Sequence, residues 1–142
     1  MILITGATGT VGSEVVKRLS AQGVQVRAVT RDPRKAEANQ LPNVHVVQGD
    51  FEDVDSMRRA CSGVDRAFLL TNSTERTEHQ QIAFTRVAQQ SGVRHIVKLS
   101  QLHADTNSPG RFLRYHAAVE AAVQASGLTF TFLRPNLYMQ GL

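Results

Sequence analysis

Short apolar runs alternate with amphipathic stretches along the whole chain. The runs are rich in β-branched and aromatic residues, a composition typical of buried strands. They cover Met1–Thr5, Val24–Thr30, Val44–Gln48, Ala67–Thr71, His95–Ser100 and Leu128–Leu133. The stretches between them carry apolar residues at helical spacing, and most of them end at a glycine. About six strands that alternate with helices predict an α/β fold, a doubly wound parallel sheet with helices on both faces.

Five helices are predicted between these strands. They cover Val11–Leu19, Lys35–Asn39, Val54–Ser62, Glu75–Ser91 and Arg111–Ala125. The second is short, whereas the third carries the only cysteine, Cys61, on its apolar face. A small apolar role in the core is therefore the favoured interpretation of Cys61, ahead of a reactive thiol.

Composition is that of an ordinary globular protein. Apolar residues make up 42% and charged residues 20%, and no apolar run approaches the ~18 residues of a membrane span. The N-terminus has no positively charged leader, and a single cysteine cannot form an internal disulfide. We therefore expect a cytoplasmic protein with no membrane partner.

The formal net charge of +4 and the pI of about 9.8 favour an anionic partner. Basic residues are spread along the chain and aromatic residues are few, so a nucleotide phosphate is expected rather than a nucleic acid. The histidines show no metal-ligand spacing with one another or with Cys61, and no metal site is predicted. The motif G-x-S-x-G is also missing, which leaves hydrolase chemistry unsupported.

The strongest chemical signal is T-G-A-T-G-T-V-G, which runs from Thr5 to Gly12 between the first strand and the first helix. Gly6 permits a sharp turn, Gly9 lets backbone amides approach a pyrophosphate, and Gly12 lets the helix pack closely. A helix N-terminus favours negative charge through its unpaired N–H groups and its dipole. A turn without a ligand is the less favoured alternative. The predicted dinucleotide-binding residues here are Gly6, Thr8, Gly9, Thr10, Val11 and Gly12.

The end of the second strand indicates which dinucleotide is bound. NAD-preferring folds place an acidic residue there, which bonds the ribose hydroxyls and repels a 2′-phosphate. Here Arg31 follows the strand, and Arg34 and Lys35 come within one turn. A guanidinium binds phosphate through two charge-assisted hydrogen bonds, so NADP(H) is predicted ahead of NAD(H). Two alternatives stay open: Asp32 turns inward, or the basic residues form a solvated loop.

The spacing G-x-x-G-x-x-G is one residue longer than the dehydrogenase fingerprint and resembles the short-chain dehydrogenase/reductase superfamily, whose nucleotide-binding unit is a Rossmann fold. Further matches are Thr30-Arg31-Asp32, Gly49-Asp50-Phe51, Thr71-Asn72, His95–Ser100, His116 with Glu120, Leu133–Asn136 and Tyr138-Met139. Together they resemble the atypical NmrA-like branch, which includes NAD(P)H-dependent quinone and azo-dye reductases and redox-sensing regulators. The resemblance runs the whole length of the chain but covers only about the first half of a typical member.

The resemblance implies roles for several strand-end residues. Asp50 would accept a hydrogen bond from the adenine amino group beside Phe51, although a turn role for Asp50 stays open. Thr71 and Asn72 would line the ribose on the nicotinamide side, and they are equally well explained as ordinary strand-end polar residues. Lys98 would bond a ribose hydroxyl or the substrate carbonyl.

The catalytic residues are not identified by this pattern. The superfamily's Tyr-x-x-x-Lys pair is absent, because Tyr115 is followed four residues later by Val119. His116 and Glu120 form either a hydrogen-bonded pair facing the cofactor or a solvated pair on the helix surface. The candidates that remain are Lys98, Ser100, which could equally cap a loop, and His116.

We therefore expect an NADPH-dependent oxidoreductase that passes hydride to a quinone-like, azo or carbonyl acceptor. The alternatives are a non-enzymatic redox sensor that binds NADP(H), and an inactive fragment. Little sequence follows the sixth strand, so residues 1–142 are predicted to form one dinucleotide-binding domain, truncated before the substrate-binding part. Apolar surface left uncovered by such a truncation predicts self-association, for example as a homo-oligomer, or poor solubility of the isolated chain.

Overall fold

The computed structural model describes residues 1–136, apart from the side chains of Lys35, Glu37 and Asn39. Within this part of the chain six parallel strands form one sheet in the order β3-β2-β1-β4-β5-β6. The strands are β1 (Ile2–Ile4), β2 (Val26–Thr30), β3 (Val44–Gln48), β4 (Arg66–Leu69), β5 (His95–Leu99) and β6 (Thr129–Leu133). The predicted doubly wound parallel sheet is confirmed. The match suggested at Tyr138-Met139 lies outside the described residues.

The helices that connect the strands are α1 (Thr10–Ala21), α2 (Val54–Cys61), α3 (Thr77–Gln90) and α4 (Arg111–Ala125). The α-helix predicted at Lys35–Asn39 is wrong, because the chain there forms two 3₁₀ turns, Pro33–Lys35 and Glu37–Gln40. Ala36 between them has extended backbone. A segment this short makes too few i→i−4 hydrogen bonds to offset the cost of starting an α-helix.

The strand order places helices on both faces of the sheet. From β1 the chain moves outward to β2 and β3, and after the crossover to β4 it moves outward in the opposite direction. Right-handed crossovers put the connections of the two directions on opposite faces. Consequently α1 and the 3₁₀ turns cover one face, and α2, α3 and α4 cover the other.

Alternate strand residues divide the core into two layers. Leu3 packs with Phe84 and Val119 on the three-helix side, whereas its neighbour Ile4 packs with Val16 of α1. These five side chains are at most 1% exposed, and burying each of them stabilises the fold by roughly 1.5–3 kcal/mol. This packing holds the carboxyl ends of the strands in fixed positions.

Cys61, the last residue of α2, is fully buried in the core layer between that helix and the sheet, which confirms its predicted core role. Burial raises the pKa of its thiol to about 11. Leu133 of β6, an edge strand of the sheet, is 44% exposed. This exposure is compatible with self-association, which stays a prediction. None of the helices within residues 1–136 has the length and apolar character that crossing a membrane requires.

The turn after β1 depends on two glycines that approach each other closely. Gly6 has a φ of +61°, in the left-handed region that glycine adopts without strain. A Cβ on Gly12 would overlap with the carbonyl group of Gly6. The first turn of α1 therefore rests directly on the backbone at the end of β1.

Replacement of Gly12 by alanine is expected to lower the free energy of unfolding by about 1–3 kcal/mol or more, because the added methyl group meets backbone that cannot yield. Gly9→Ala is the matched control, since its Cβ would lie 3.5 Å from the Gly6 carbonyl oxygen, an ordinary contact. Urea unfolding measures both variants. Equal losses for the two would contradict the packing role of Gly12.

Candidate functional site

The carboxyl ends of the strands open into a large crevice where the strand order reverses, beside β1 and β4. Ligands of doubly wound sheets bind at this switch point. The crevice has a volume of about 1390 Å³ and is lined by α1 and by the segments that follow β1, β2, β3 and β4. Most small-molecule pockets measure roughly 300–1,000 Å³, so this one suits an extended ligand.

The segment between β1 and the first turn of α1, residues 6–12, is called the glycine loop and supplies the part of the wall nearest to α1. The loop residues that line the crevice are Gly6, Thr8, Gly9, Thr10 and Val11. No side chain caps the first N–H groups of α1, and its first turn holds no acidic residue. The positive end of the helix dipole is therefore uncompensated at the crevice, an arrangement that suits a pyrophosphate.

Charged side chains gather where β2 ends. Arg31 and Arg18 line the crevice, and Arg31 forms no ion pair within residues 1–136, while Arg18 has only a 3.9 Å contact with Glu14. Asp32 also lines the crevice, but its Oδ1 accepts hydrogen bonds from the backbone N–H and the Nε of Arg34, both at 3.2 Å. Arg34 thus forms an ion pair with the Asp32 carboxylate and offsets a charge that would otherwise repel a phosphate.

The segment after β3 contributes Asp50 and Phe51 to the crevice wall. Asp50 also has a structural role, because its Oδ1 accepts a 2.9 Å hydrogen bond from the backbone N–H of Glu52. The turn role and the crevice position of Asp50 therefore coexist. Phe51 packs edge-on against Phe84 of α3, with ring centroids 5.9 Å apart, and this contact fixes the ring at the wall.

An ion pair bridges the loops that follow β3 and β4. Arg76 donates to both carboxylate oxygens of Glu52, at 3.0 and 2.9 Å, and Gln80 donates to one of them at 3.0 Å. These hydrogen bonds, chiefly that of Arg76, lower the pKa of the Glu52 carboxyl to about 2. The pair is exposed and adds little stability, but it joins two loops that border the crevice.

A chain of hydrogen bonds leads from the crevice into the core. Thr71 lines the crevice, and its hydroxyl oxygen accepts from Nε2 of Gln81 at 2.8 Å. The amide oxygen of Gln81 accepts from Nζ of Lys98 at 2.7 Å, and that Nζ lies 3.0 Å from Nδ1 of His116. Gln81 and Lys98 are at most 1% exposed, so water does not interrupt the chain.

The carboxylate of Glu120 lies in a second buried cluster beside this chain. It accepts hydrogen bonds from the Ser100 hydroxyl at 2.5 Å and from two nitrogens of Arg134 at 2.6 and 3.1 Å. Burial acts to raise the pKa of Glu120, but the hydrogen bonds from Arg134 and Ser100 hold it below its ordinary value. His116 and Glu120 are 8% and 7% exposed, so the interpretation as a solvated pair is wrong.

Burial controls the protonation of the two basic groups in the chain. It lowers the pKa of the Lys98 ammonium to about 7, although the charge of Glu120 acts in the opposite direction. Burial and the Lys98 charge together lower the pKa of His116 to about 4. At neutral pH the imidazole is therefore uncharged, and Lys98 loses its proton far more readily than an exposed lysine does.

The structure places most of the predicted site residues in two groups, and three residues belong to neither. Those that line the crevice are Gly6, Thr8, Gly9, Thr10, Val11, Arg31, Asp50, Phe51, Thr71 and Asn72. Lys98, Ser100 and His116 are buried and contact other protein groups. Gly12 serves packing, Arg34 pairs with a carboxylate, and the side chain of Lys35 is outside the description. The functional roles of these residues stay predictions.

Sequence reasoning missed Arg18 and Gln81. Arg18 lies about two helical turns after Val11 on the same face of α1, and that spacing could have marked it as a crevice residue. Gln81 occupies a buried position of α3, where a polar residue needs a partner. Only the folded chain identifies Thr71 and Lys98 as its partners.

A family model described as NAD(P)H-binding matches residues 6–141, which include the glycine loop and every strand after β1. The chain belongs to this NAD(P)H-binding family. The predicted dinucleotide cofactor is thereby confirmed. Every crevice-lining residue named above falls within the matched region.

Several curated relatives of this chain are reductases. The chain is 40% identical over 140 residues to (4-alkanoyl-5-oxo-2,5-dihydrofuran-3-yl)methyl phosphate reductase of Streptomyces griseus, a match that covers 98% of this chain and 48% of that protein. It is 33% identical over 142 residues to NAD(P)H azoreductase of Xenophilus azovorans, covering 100% of this chain and 50% of that protein. The chain therefore spans about half the length of these relatives.

A solved structure agrees with the fold at the same coverage. The crystal structure of an NADPH-dependent quinone oxidoreductase from Escherichia coli, complexed with NADPH, matches with a TM-score of 0.84 and 33% identity. The match covers 94% of this chain and 48% of that one. With the azoreductase and an NmrA-like oxidoreductase among the relatives, the predicted resemblance to the NmrA-like branch is confirmed.

Lys98 makes the stability of the fold depend on pH. Its pKa is about 7 in the folded chain against an ordinary value of 10.5, so the unfolded chain binds more protons between these values and stability increases as the pH rises. Urea unfolding between about pH 7 and pH 8.5 is expected to show a gain of about 1–2 kcal/mol from this residue. Lys98→Met should lack that gain.

The matched control for this experiment is Lys17→Met, which removes an exposed lysine of α1 and should keep the wild-type slope. The pH window ends where it does because the raised pKa of the Cys61 thiol gives a slope of opposite sign at higher pH. If Lys98→Met retained the wild-type pH dependence, the lowered pKa of Lys98 would be contradicted.

Proposed function

We propose that this chain binds NADPH and forms the cofactor-binding part of a reductase that passes hydride to a quinone, azo or carbonyl acceptor. The proposal rests chiefly on the crevice, where the glycine loop and the uncapped start of α1 meet basic residues at the end of β2. The names of the relatives support the class of reaction, since they are reductases of phosphate-bearing furanones, azo compounds and quinones.

The crevice residues fit a dinucleotide. Gly6 and Gly9 leave the loop without a side chain at two positions of the crevice wall, and the start of α1 offers N–H groups to a pyrophosphate. Asp50 and Phe51 would hold the adenine, and Thr71 and Asn72 would hold the ribose on the nicotinamide side. When bound, the reduced nicotinamide supplies the hydride, while the protein orients it and limits access of water.

The three catalytic candidates act from behind the crevice. The Lys98 ammonium is engaged by Gln81 and His116, so it influences the bound cofactor through its neighbours rather than by direct contact. The hydroxyl of Ser100 is engaged by Glu120, which Arg134 also holds. Ser100 therefore joins the end of β5 to α4 and would act on a bound nicotinamide only through the position of that strand end.

The preference for NADPH over NADH rests on the charges at the end of β2. A 2′-phosphate is bound by cations that no carboxylate already neutralises. Asp32 is paired by Arg34, whereas Arg31 and Arg18 lie on the crevice wall without a strong ion pair. These two guanidinium groups would hold the 2′-phosphate of NADPH, whereas the ribose hydroxyl of NADH offers them no comparable charge.

The domain assignment is part of the same proposal. Residues 1–142 act as one dinucleotide-binding unit, and the acceptor meets chain outside it. The support is the length of the curated relatives, of which the match covers about half. The cytoplasmic location, the homo-oligomer and the lack of a nucleic-acid partner stay predictions.

Turnover tests the proposed reaction directly. The full-length protein that contains residues 1–142 is expected to oxidise NADPH in the presence of a panel of quinones, azo dyes and carbonyl compounds. The reaction is measured as the loss of absorbance of the reduced nicotinamide. Gly9→Glu should abolish binding and turnover together, because a carboxylate at the start of α1 repels the pyrophosphate. Tight binding without turnover would favour a redox sensor, which the missing Tyr-x-x-x-Lys pair also suits. Absence of binding would contradict the proposal.

Arg31→Ala is expected to weaken NADPH binding by roughly 1.5–3 kcal/mol, the scale of a hydrogen bond to a charged group, and to leave NADH binding nearly unchanged. Calorimetric titration of both cofactors measures the difference. The matched control is Arg58→Ala, which removes the same charge from α2, where Arg58 pairs with Asp55. Equal losses for both cofactors, or a wild type that prefers NADH, would overturn the assignment of Arg31.

A further inference from the structure

The buried ammonium of Lys98 determines the direction of the hydrogen bonds around it. An ammonium group has three donors and no acceptor. Its three neighbours are the Gln81 amide oxygen at 2.7 Å, Nδ1 of His116 at 3.0 Å and the Leu99 carbonyl oxygen at 3.5 Å. Because the Lys98 side chain is fully buried, its ammonium donates to these protein atoms rather than to water.

This direction continues through Gln81 to the crevice. Since the amide oxygen of Gln81 accepts from Lys98, its Nε2 is the end that donates to the Thr71 hydroxyl, at 2.8 Å. The Thr71 oxygen is then an acceptor, and its own proton has no acceptor within residues 1–136. Because Thr71 lines the crevice, that proton is available to a ligand there.

The same direction continues through His116 on the opposite side of Lys98. Nδ1 accepts from the ammonium, so the proton of the neutral ring is on Nε2. Among the described residues no buried side-chain nitrogen or oxygen lacks a hydrogen-bond partner, and Nε2 has none, so Nε2 reaches the surface. Both ends of the chain, Thr71 and His116, therefore present donors.

We propose that Lys98 is a positioning residue that fixes Gln81 in the orientation that turns Thr71 into a hydrogen-bond donor toward the cofactor. On its other side Lys98 fixes His116 as the tautomer protonated on Nε2. The group that Thr71 recognises is an oxygen acceptor of NADP(H) at the strand ends. This inference rests on the proposed function, because the dinucleotide is the ligand that meets Thr71. A hydroxyl at the end of a chain of donors that begins at a charged group donates a stronger hydrogen bond than an isolated hydroxyl does.

The groups that face Lys98 define the pH at which this arrangement exists. They are Gln81 from α3 and His116 and Glu120 from α4, and Glu120 is paired in turn with Arg134 after β6. With pKa values of about 7 for Lys98 and about 4 for His116, a solution near pH 6 holds the first charged and the second neutral. The tests are therefore made at that pH.

A double-mutant cycle at Thr71 and Gln81 tests the direction of the chain. Thr71→Val keeps the shape but removes the hydroxyl, and it is expected to weaken NADP+ binding about 3- to 10-fold. Thr71→Ser retains the hydroxyl and should bind within about 2-fold of wild type. Gln81→Glu keeps the contact with Lys98 but offers Thr71 only acceptors. The Thr71 proton is then donated to Glu at position 81 instead of the ligand.

In the Gln81→Glu background, Thr71→Val is therefore expected to cost less than about 2-fold in NADP+ affinity. The added carboxylate is common to both chains compared in that background, so its own repulsion of NADP+ cancels. Lys98→Met supplies a second background if Gln81→Glu fails to fold, since it leaves Gln81 free to rotate. The cost of Thr71→Val should shrink there as well.

The proposed direction would be overturned if Thr71→Val reduced NADP+ affinity equally in the wild type and in either background. It would also be overturned if Thr71→Val left the NADP+ affinity of the wild type unchanged. A wild-type chain that binds neither NADP+ nor NADPH would contradict the proposed function instead. In that case nitrogen NMR of His116 without ligand decides the inference. Protonation at Nε2 near pH 6 is the expected result, and protonation at Nδ1 overturns it.

Discussion

The contact between Gly12 and the backbone of Gly6 is the constraint on which the rest of the site depends. It brings the first turn of α1 against the end of β1, at the point where the strand order reverses. The uncapped N–H groups of α1 therefore face the crevice at the carboxyl ends of β1 and β4, where the chain connections leave in opposite directions. A methyl group at position 12 would push the first turn of α1 away from the end of β1.

The buried cluster around Lys98 raises a question of energy, because placing a charge in the core is costly unless its partners are well arranged. Here all three donors of the ammonium have acceptors, and the charge of Glu120 lies nearby. Replacing such a group by an apolar residue is often neutral or stabilising elsewhere. A lysine with these contacts therefore indicates a role other than stability, in agreement with its connection to Thr71.

The sequence was sufficient for the fold and for the crevice wall nearest to the glycine loop. Alternation of apolar and helical patterns predicted all six strands, and the glycine spacing predicted the start of α1. Failure came where local patterns are weak or where function needs distant residues. Lys35–Asn39 carried too little periodicity to distinguish an α-helix from 3₁₀ turns. The partners of Lys98 lie on two helices, and only packing brings them together.

The position of Cys61 has a consequence for the chemistry around the protein. Quinones are electrophiles, and a thiolate adds to them covalently. Cys61 is fully buried, and the raised pKa of its thiol keeps the sulfur protonated at neutral pH. It is also the only cysteine in these 142 residues. Residues 1–142 thus present no reactive thiolate to such compounds, and packing suppresses the alkylation of Cys61.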